Sequence, residues 1–252
     1  MFLTFLTYAD GTDGSRFGPL RSVVVLCMLY PLALQICSAY FGNLDMLCTF
    51  ALLTYSAYSV PATVFGPCAL EWHQSALKEN RQRAYDDFIA VGETLISTGV
   101  TSSEHLGIRG GSNGGLLVGA VVAQRPDLFN AVICAVPLLD MYRYDKLLAG
   151  ASWVDEYGDP DNPEEWSFIS KYSPYQNVFA DKNYPEIYFY TSTKDDRVHP
   201  GHARKMAKKM LDQGHEVIYY ENIEGGHSAA ANLKQSAYMT TLQLEYLKDK
   251  LL

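Results

Sequence analysis

The sequence predicts an α/β fold, a mostly parallel sheet with helices on both faces, and three observations carry that expectation. After residue 72 helix-like and strand-like stretches alternate, the order that parallel strands joined by crossover helices require. Pro185-Glu186-Ile187-Tyr188-Phe189-Tyr190-Thr191 is rich in aromatic and β-branched residues, the composition of a buried strand. Gly110-Gly111-Ser112-Asn113-Gly114-Gly115 stands between a strand-like run and a helix-like one. The 252 residues are enough for one α/β domain with a full core.

The elements follow in order. Residues 82–98 read as a helix with Tyr85, Phe88, Ile89, Gly92 and Ile96 on one stripe. Glu104-His105-Leu106-Gly107-Ile108-Arg109 supplies a short strand, and residues 113–124 a buried helix of small apolar side chains. Cys134 lies in a further strand-like run. After the strand at 185–191 come a helix at 201–213, a strand at Glu216-Val217-Ile218-Tyr219-Tyr220-Glu221 and a helix at 232–250.

The glycine-rich junction carries chemistry as well as architecture. A serine on so tight a strand-to-helix turn holds its hydroxyl out above the sheet edge, and flanking glycines supply the clearance. A hydroxyl at neutral pH is a poor nucleophile; it needs a base, and the base needs an orienting acid. Two later strands end in loops that offer them. The first strand ends in Ser192-Thr193-Lys194-Asp195-Asp196-Arg197, with two carboxylates, and the second in Asn222-Ile223-Glu224-Gly225-Gly226-His227-Ser228, with one histidine. Ser112, a carboxylate and His227 therefore fall at three strand ends in the chain order this arrangement requires. Spacing alone does not choose between Asp195 and Asp196. His73 and His105 precede the serine, His199 shares the acid's loop, His202 opens a helix and His215 joins a helix to a strand.

These residues carry a resemblance. From about Trp72 to Leu252 the chain resembles the catalytic domain of the prolyl oligopeptidase family of serine peptidases, an α/β-hydrolase fold. The motifs are the glycine-flanked Ser112, Asp195-Asp196-Arg197-Val198, Gly225-Gly226-His227 and Trp153-Val154-Asp155-Glu156-Tyr157, and Asn113 favours the prolyl branch. The resemblance implies a Ser112–Asp195–His227 triad, choosing Asp195 as the acid, and makes the Asn113 N–H one oxyanion donor. It implies that Trp153 stacks on a substrate proline in a pocket lined by Tyr157, Leu138 and Val198. Arg197 then bonds the carbonyl one position before that proline. A slot for proline should be flat, aromatic and free of obligatory donors, because proline is a rigid ring without an N–H.

The resemblance stops at the N-terminal end, dividing the chain into an apolar segment, residues 1–70, and a catalytic domain, residues 71–252. The chain is too short to hold the family's β-propeller. The loop that presents a second oxyanion donor is not reproduced, and Tyr8 is the nearest substitute. Between Ser22 and Leu70 the only charged residue is Asp45. The preferred reading makes Val23-Val24-Val25-Leu26 and Cys48-Thr49-Phe50-Ala51-Leu52-Leu53 buried strands. The competing one makes residues 23–41 and 46–65 bilayer-spanning helices of about 20 residues each. Met1 to Ala9 lacks the basic start of a secretion signal.

Composition bounds the rest. A net charge of −8, with no basic face interleaved with aromatics, argues against a nucleic-acid partner. Cys27, Cys37, Cys48, Cys68 and Cys134 have irregular spacings, which points to free thiols in a cytoplasmic setting and to no metal site. No cofactor is expected. Expected partners are short peptides, with self-association or a separate propeller chain as candidates for the vacant docking edge. Hydrolysis after proline leads; a broad small-substrate esterase and an impaired remnant that binds partners or membranes are the alternatives.

Overall fold

A computed structural model describes residues 2–7, 22–27 and 73–252, the first two stretches by their backbone alone. Among the described residues six strands form one sheet in sequence order: β1 (Phe2–Thr7), β2 (Ser22–Cys27), β3 (Leu106–Gly111), β4 (Ala131–Ala135), β5 (Ile187–Ser192) and β6 (Val217–Asn222). β1 pairs antiparallel with β2, and every later pairing is parallel. The α-helices among the described residues are α1 (Gln82–Ser97), α2 (Asn113–Gln124), α3 (Val154–Tyr157), α4 (Pro163–Tyr172), α5 (Gly201–Asp212) and α6 (Leu233–Leu251).

Strand β4 shows how the sheet divides the core. Val132 and Cys134 join a cluster with α1, α2 and α5 residues such as Phe88, Val118 and Met206. Ala131, Ile133 and Ala135 join a second cluster, with Met239, Tyr246 and Leu251 of α6. Alternate side chains of one strand point to opposite faces, so a strand buried on both must be apolar throughout. All five residues of β4 are buried. Helices thus cover both faces of the sheet.

Two sequence expectations shift. The strand expected at 104–109 begins at Leu106 and runs on through Gly111, while Ser103–His105 makes a single 3-10 turn. Gly110 and Gly111 pair with Cys134 and Ala135, so the parallel ladder with β4 prolongs the strand into residues that read as turn. On α1 the buried face is Ala84, Tyr85, Phe88, Val91, Gly92 and Leu95. Ile89 and Ile96 sit at its edge, half-buried, because the helix is rotated to set Gly92 close to Phe129 and Leu106.

Residues 23–26 fall within β2; Tyr8 and residues 46–65 lie outside the described residues. Among the described residues no helix is long and apolar enough to cross a membrane. Because β3, β5 and β6 run parallel, the loops that follow them leave the same edge of the sheet.

Candidate active site

Ser112 sits between β3 and α2 with φ 59° and ψ −120°, a conformation that costs a non-glycine residue about 1–3 kcal/mol. The surroundings hold it there. Its N–H donates to the Ala135 carbonyl at 2.9 Å, and its carbonyl accepts from the N–H groups of Gly115 and Leu116 at 2.9 and 3.1 Å. A Cβ on Gly110 would stand 2.1 Å from the Gly114 carbonyl oxygen, and one on Gly115 would stand 2.7 Å from Pro137. Those two glycines are required because backbone passes where side chains would be.

The β5 loop turns at once, the Asp195 N–H bonding the Ser192 carbonyl, and buries the Asp195 carboxylate. Its Oδ1 accepts from the N–H groups of Arg197 and Val198, each at 2.9 Å. Asp196 is exposed. The β6 loop is tied down by Asn222, whose Nδ2 donates to the Ala229 carbonyl at 2.8 Å and to Gln235 Oε1 at 2.9 Å. Ala229, at φ 63°, closes this loop.

The three loops meet. His227 Nε2 lies 3.0 Å from Ser112 Oγ, and its Nδ1 lies 3.0 and 2.9 Å from the two Asp195 oxygens. With Nδ1–H donating to the buried carboxylate, Nε2 is left to accept the serine proton. The other five histidines are engaged elsewhere. His73 faces Glu156, His105 the Leu251 carbonyl and His215 the Phe179 carbonyl. His199 accepts from the Gly201 N–H, and His202 from the Asp140 N–H.

The expected pocket residues all belong to, or pack against, the larger core cluster. Leu138, Tyr157 and Val198 are buried in the main cluster, and half-buried Trp153 packs against it. Trp153 ends a 3-10 stretch, Leu148–Trp153, and Tyr157 ends the single turn α3. The Ala149 N–H reaches the Arg197 carbonyl at 3.3 Å, which draws this stretch to the acid's loop. The Arg197 side chain itself is exposed. Leu138 follows Val136, a β-branched residue at φ 37° whose N–H donates to the Tyr190 carbonyl at 2.7 Å.

Asn113 opens α2, so its N–H stands at the positive end of the helix dipole, next to the serine. Its side chain does something the sequence does not foretell. Asn113 Oδ1 accepts from Tyr157 Oη at 2.7 Å and from Arg81 Nη2 at 2.9 Å. Arg81 is 1% exposed and donates through Nη1 to Glu156 Oε1 at 2.6 Å. Burial opposes its charge, but Tyr85, Tyr157 and Glu156 outweigh that and hold its pKa above the ordinary arginine value. Burial likewise raises the Tyr157 phenol, which therefore stays a neutral donor. Arg81 lies in the polar run Lys78-Glu79-Asn80-Arg81-Gln82-Arg83, and its one sequence signal is phase, one turn before Tyr85 in line with the buried stripe of α1.

Among the described residues, Asp145, Asp159 and Asp161 are the one carboxylate group close enough to share a cation, and Lys146 already pairs with Asp161 at 2.6 Å.

Comparison with known proteins identifies the family. The family model described as the prolyl oligopeptidase family matches residues 68–252. An uncharacterized peptidase of Sinorhizobium fredii is 57% identical over 188 residues, 75% of this chain and 26% of that protein. A prolyl endopeptidase of Dictyostelium discoideum is 41% identical over 170 residues, 65% of this chain and 22% of that protein. Among solved structures, a post-proline cleaving enzyme from Rickettsia typhi aligns with a TM-score of 0.68 at 44% identity, over 75% of this chain and 27% of that one. The chain thus spans about a quarter of the length of the curated relatives it matches. The shared region has the α/β-hydrolase fold. With a family model covering most of its length and relatives this similar, the chain belongs to the prolyl oligopeptidase family.

Proposed function

We propose that this chain is a serine peptidase that hydrolyses short peptides on the carboxyl side of proline. One observation carries the reading: Ser112, His227 and Asp195 form an unbroken hydrogen-bonded series at 3.0 and 2.9 Å, built from three separate loops. The relatives add to it, since the Dictyostelium protein is named a prolyl endopeptidase and the Rickettsia typhi structure a post-proline cleaving enzyme.

His227 takes the proton from Ser112 as Oγ attacks the carbonyl carbon of the scissile bond. Asp195 fixes the imidazole tautomer and stabilises the imidazolium that forms. The Asn113 N–H, helped by the dipole of α2, receives the charge that develops on the carbonyl oxygen. One such donor is worth about 3 kcal/mol of barrier. His227 then gives its proton to the leaving amine, and water repeats the attack on the acyl-enzyme with the same base.

Selectivity for proline rests on Trp153, Tyr157, Leu138 and Val198. The Tyr157 hydroxyl gives its single hydrogen to Asn113, so it presents no free donor to a substrate ring without an N–H. Arg197, exposed beside the acid, bonds the preceding carbonyl of the peptide. Strands β1 and β2 extend the same sheet, and a separate propeller chain would restrict substrates to short peptides.

The test is labelling with a fluorophosphonate, together with turnover of a Gly-Pro amide, for the full chain and for Ser112→Ala. Labelling and proline-dependent turnover that both vanish in the variant support the proposal. Hydrolysis of simple esters without preference for proline would leave only the esterase, and no labelling of wild type would leave only a binding protein.

A further inference from the structure

Arg81 presents a physical problem. A fully buried guanidinium is expensive to desolvate, and replacing a buried ion pair by apolar side chains of similar volume is often neutral or stabilising. Stability alone therefore does not account for its pairing with Glu156. What the pair touches does. One arm of the guanidinium, Nη1, reaches Glu156 Oε1 at 2.6 Å, and the other, Nη2, reaches Asn113 Oδ1 at 2.9 Å. Its Cζ lies 5.0 Å from the centroid of the Tyr157 ring, whose hydroxyl donates to that same Asn113 oxygen at 2.7 Å. Asn113 Oδ1 thus has both lone pairs occupied, by donors from two distant segments. Glu156 and Tyr157 are consecutive residues of α3, and Asn113 is the first residue of α2.

We propose that Arg81 is a positioning residue that locks the residue after the nucleophile to the turn bearing the aromatic wall of the substrate pocket. The proposal rests on the peptidase reading above. Arg81 touches neither substrate nor the reacting atoms; it sets where the Asn113 backbone and the Tyr157 ring stand relative to each other. The planar fork suits this task, because two acceptors on two segments are held by one rigid group. Lysine would keep the charge and lose the fork. His73, 3.2 Å from Glu156 Oε2, steadies the far side of the same carboxylate.

The experiment uses Arg81→Lys and Glu156→Gln in the full chain, with active sites counted by fluorophosphonate titration so that misfolded protein drops out. Substrates are paired Gly-Pro and Gly-Ala amides and a simple activated ester. Per active site, Arg81→Lys should lower kcat/KM for the Gly-Pro amide about tenfold, the scale of a small misplacement at a reacting centre. The preference for proline over alanine should fall at least about threefold, since the aromatic wall moves with it. The ester, which does not fill the pocket, should lose less. Glu156→Gln should shift both readings in the same direction by less, and it decides the matter if Arg81→Lys does not fold. Unchanged per-site rates and an unchanged proline preference would make the cluster purely structural and overturn the proposal. Wild type that fails to label would overturn the peptidase reading itself, and this inference with it.

Discussion

His227 Nδ1 is shared almost evenly by the two carboxylate oxygens of Asp195, at 3.0 and 2.9 Å. Of those oxygens, Oδ1 also accepts two backbone N–H groups, so the acid is fixed before it meets the imidazole. Asp195→Asn keeps one acceptor oxygen but offers an N–H where the carboxylate offers none, favouring the wrong tautomer of His227. Turnover should fall on the order of 10⁴-fold. Thermal denaturation should show the fold retained. A variant with near wild-type kcat would remove Asp195 from the mechanism.

Gly110 and Gly111 look alike in the sequence and differ in the structure. A methyl group on Gly110 meets the Gly114 backbone, whereas one on Gly111 meets Ala135 at 3.5 Å, an ordinary contact. Gly110→Ala should abolish labelling of Ser112 and destabilise the domain by at least about 1–3 kcal/mol. Gly111→Ala should be tolerated. Melting temperatures and labelling of the two variants side by side decide it, and equal behaviour would contradict the geometry.

Trp153 is only half-buried, so its removal leaves no large void in the core. Trp153→Ala should raise KM for a Gly-Pro amide on the order of tenfold, the value of an aromatic stack near 1.4 kcal/mol. The rate of Ser112 labelling by a small phosphonate should hardly change. Equal losses in both would mean that Trp153 supports the fold rather than the substrate.

His202 supplies a pH dependence unconnected with catalysis. Burial lowers its pKa from 6.5 to about 4, although Asp140 and Asp195 partly oppose this while Lys205 and His199 reinforce it. Its Nδ1 accepts from the Asp140 N–H at 3.0 Å, which requires an unprotonated nitrogen. The folded pKa lies below the unfolded one, so the unfolded chain takes up the proton first as pH falls. Stability should then be unaffected by His202 above about pH 6.5 and decline by about 3 kcal/mol between pH 6.5 and 4. Urea denaturation across that range should show the decline in wild type and a flatter curve in His202→Gln. Parallel curves would refute the assignment.

The sequence is most transparent where local chemistry and the tertiary fold agree. Residues 113–124 read as a helix and form one with those bounds, because a glycine-flanked turn and a run of small apolar side chains demand the same thing. The three loops that carry Ser112, Asp195 and His227 are legible from their order after strands. Helix α4 had its signals, an Asn162 cap accepting the Glu164 N–H at 3.0 Å, a proline at the first position and Trp166, Ile169 and Tyr172 at three-residue spacing, but that apolar stripe runs for only about two turns. Arg81 was legible only in its phase: it stands one turn before Tyr85, in line with the buried stripe of α1, whereas Arg83 falls off that stripe and bonds the Ser75 carbonyl at the surface.

The carboxylate of Asp195 grips the backbone of Arg197 and Val198, the two residues we propose read the substrate. On that proposal reactivity and taste are written into one short stretch of chain, and an altered backbone there should disturb both together. A lineage exploring new peptides has freer ground at Trp153, whose backbone carries no bond to the acid. Specificity in such a scaffold should diverge first from the aromatic side.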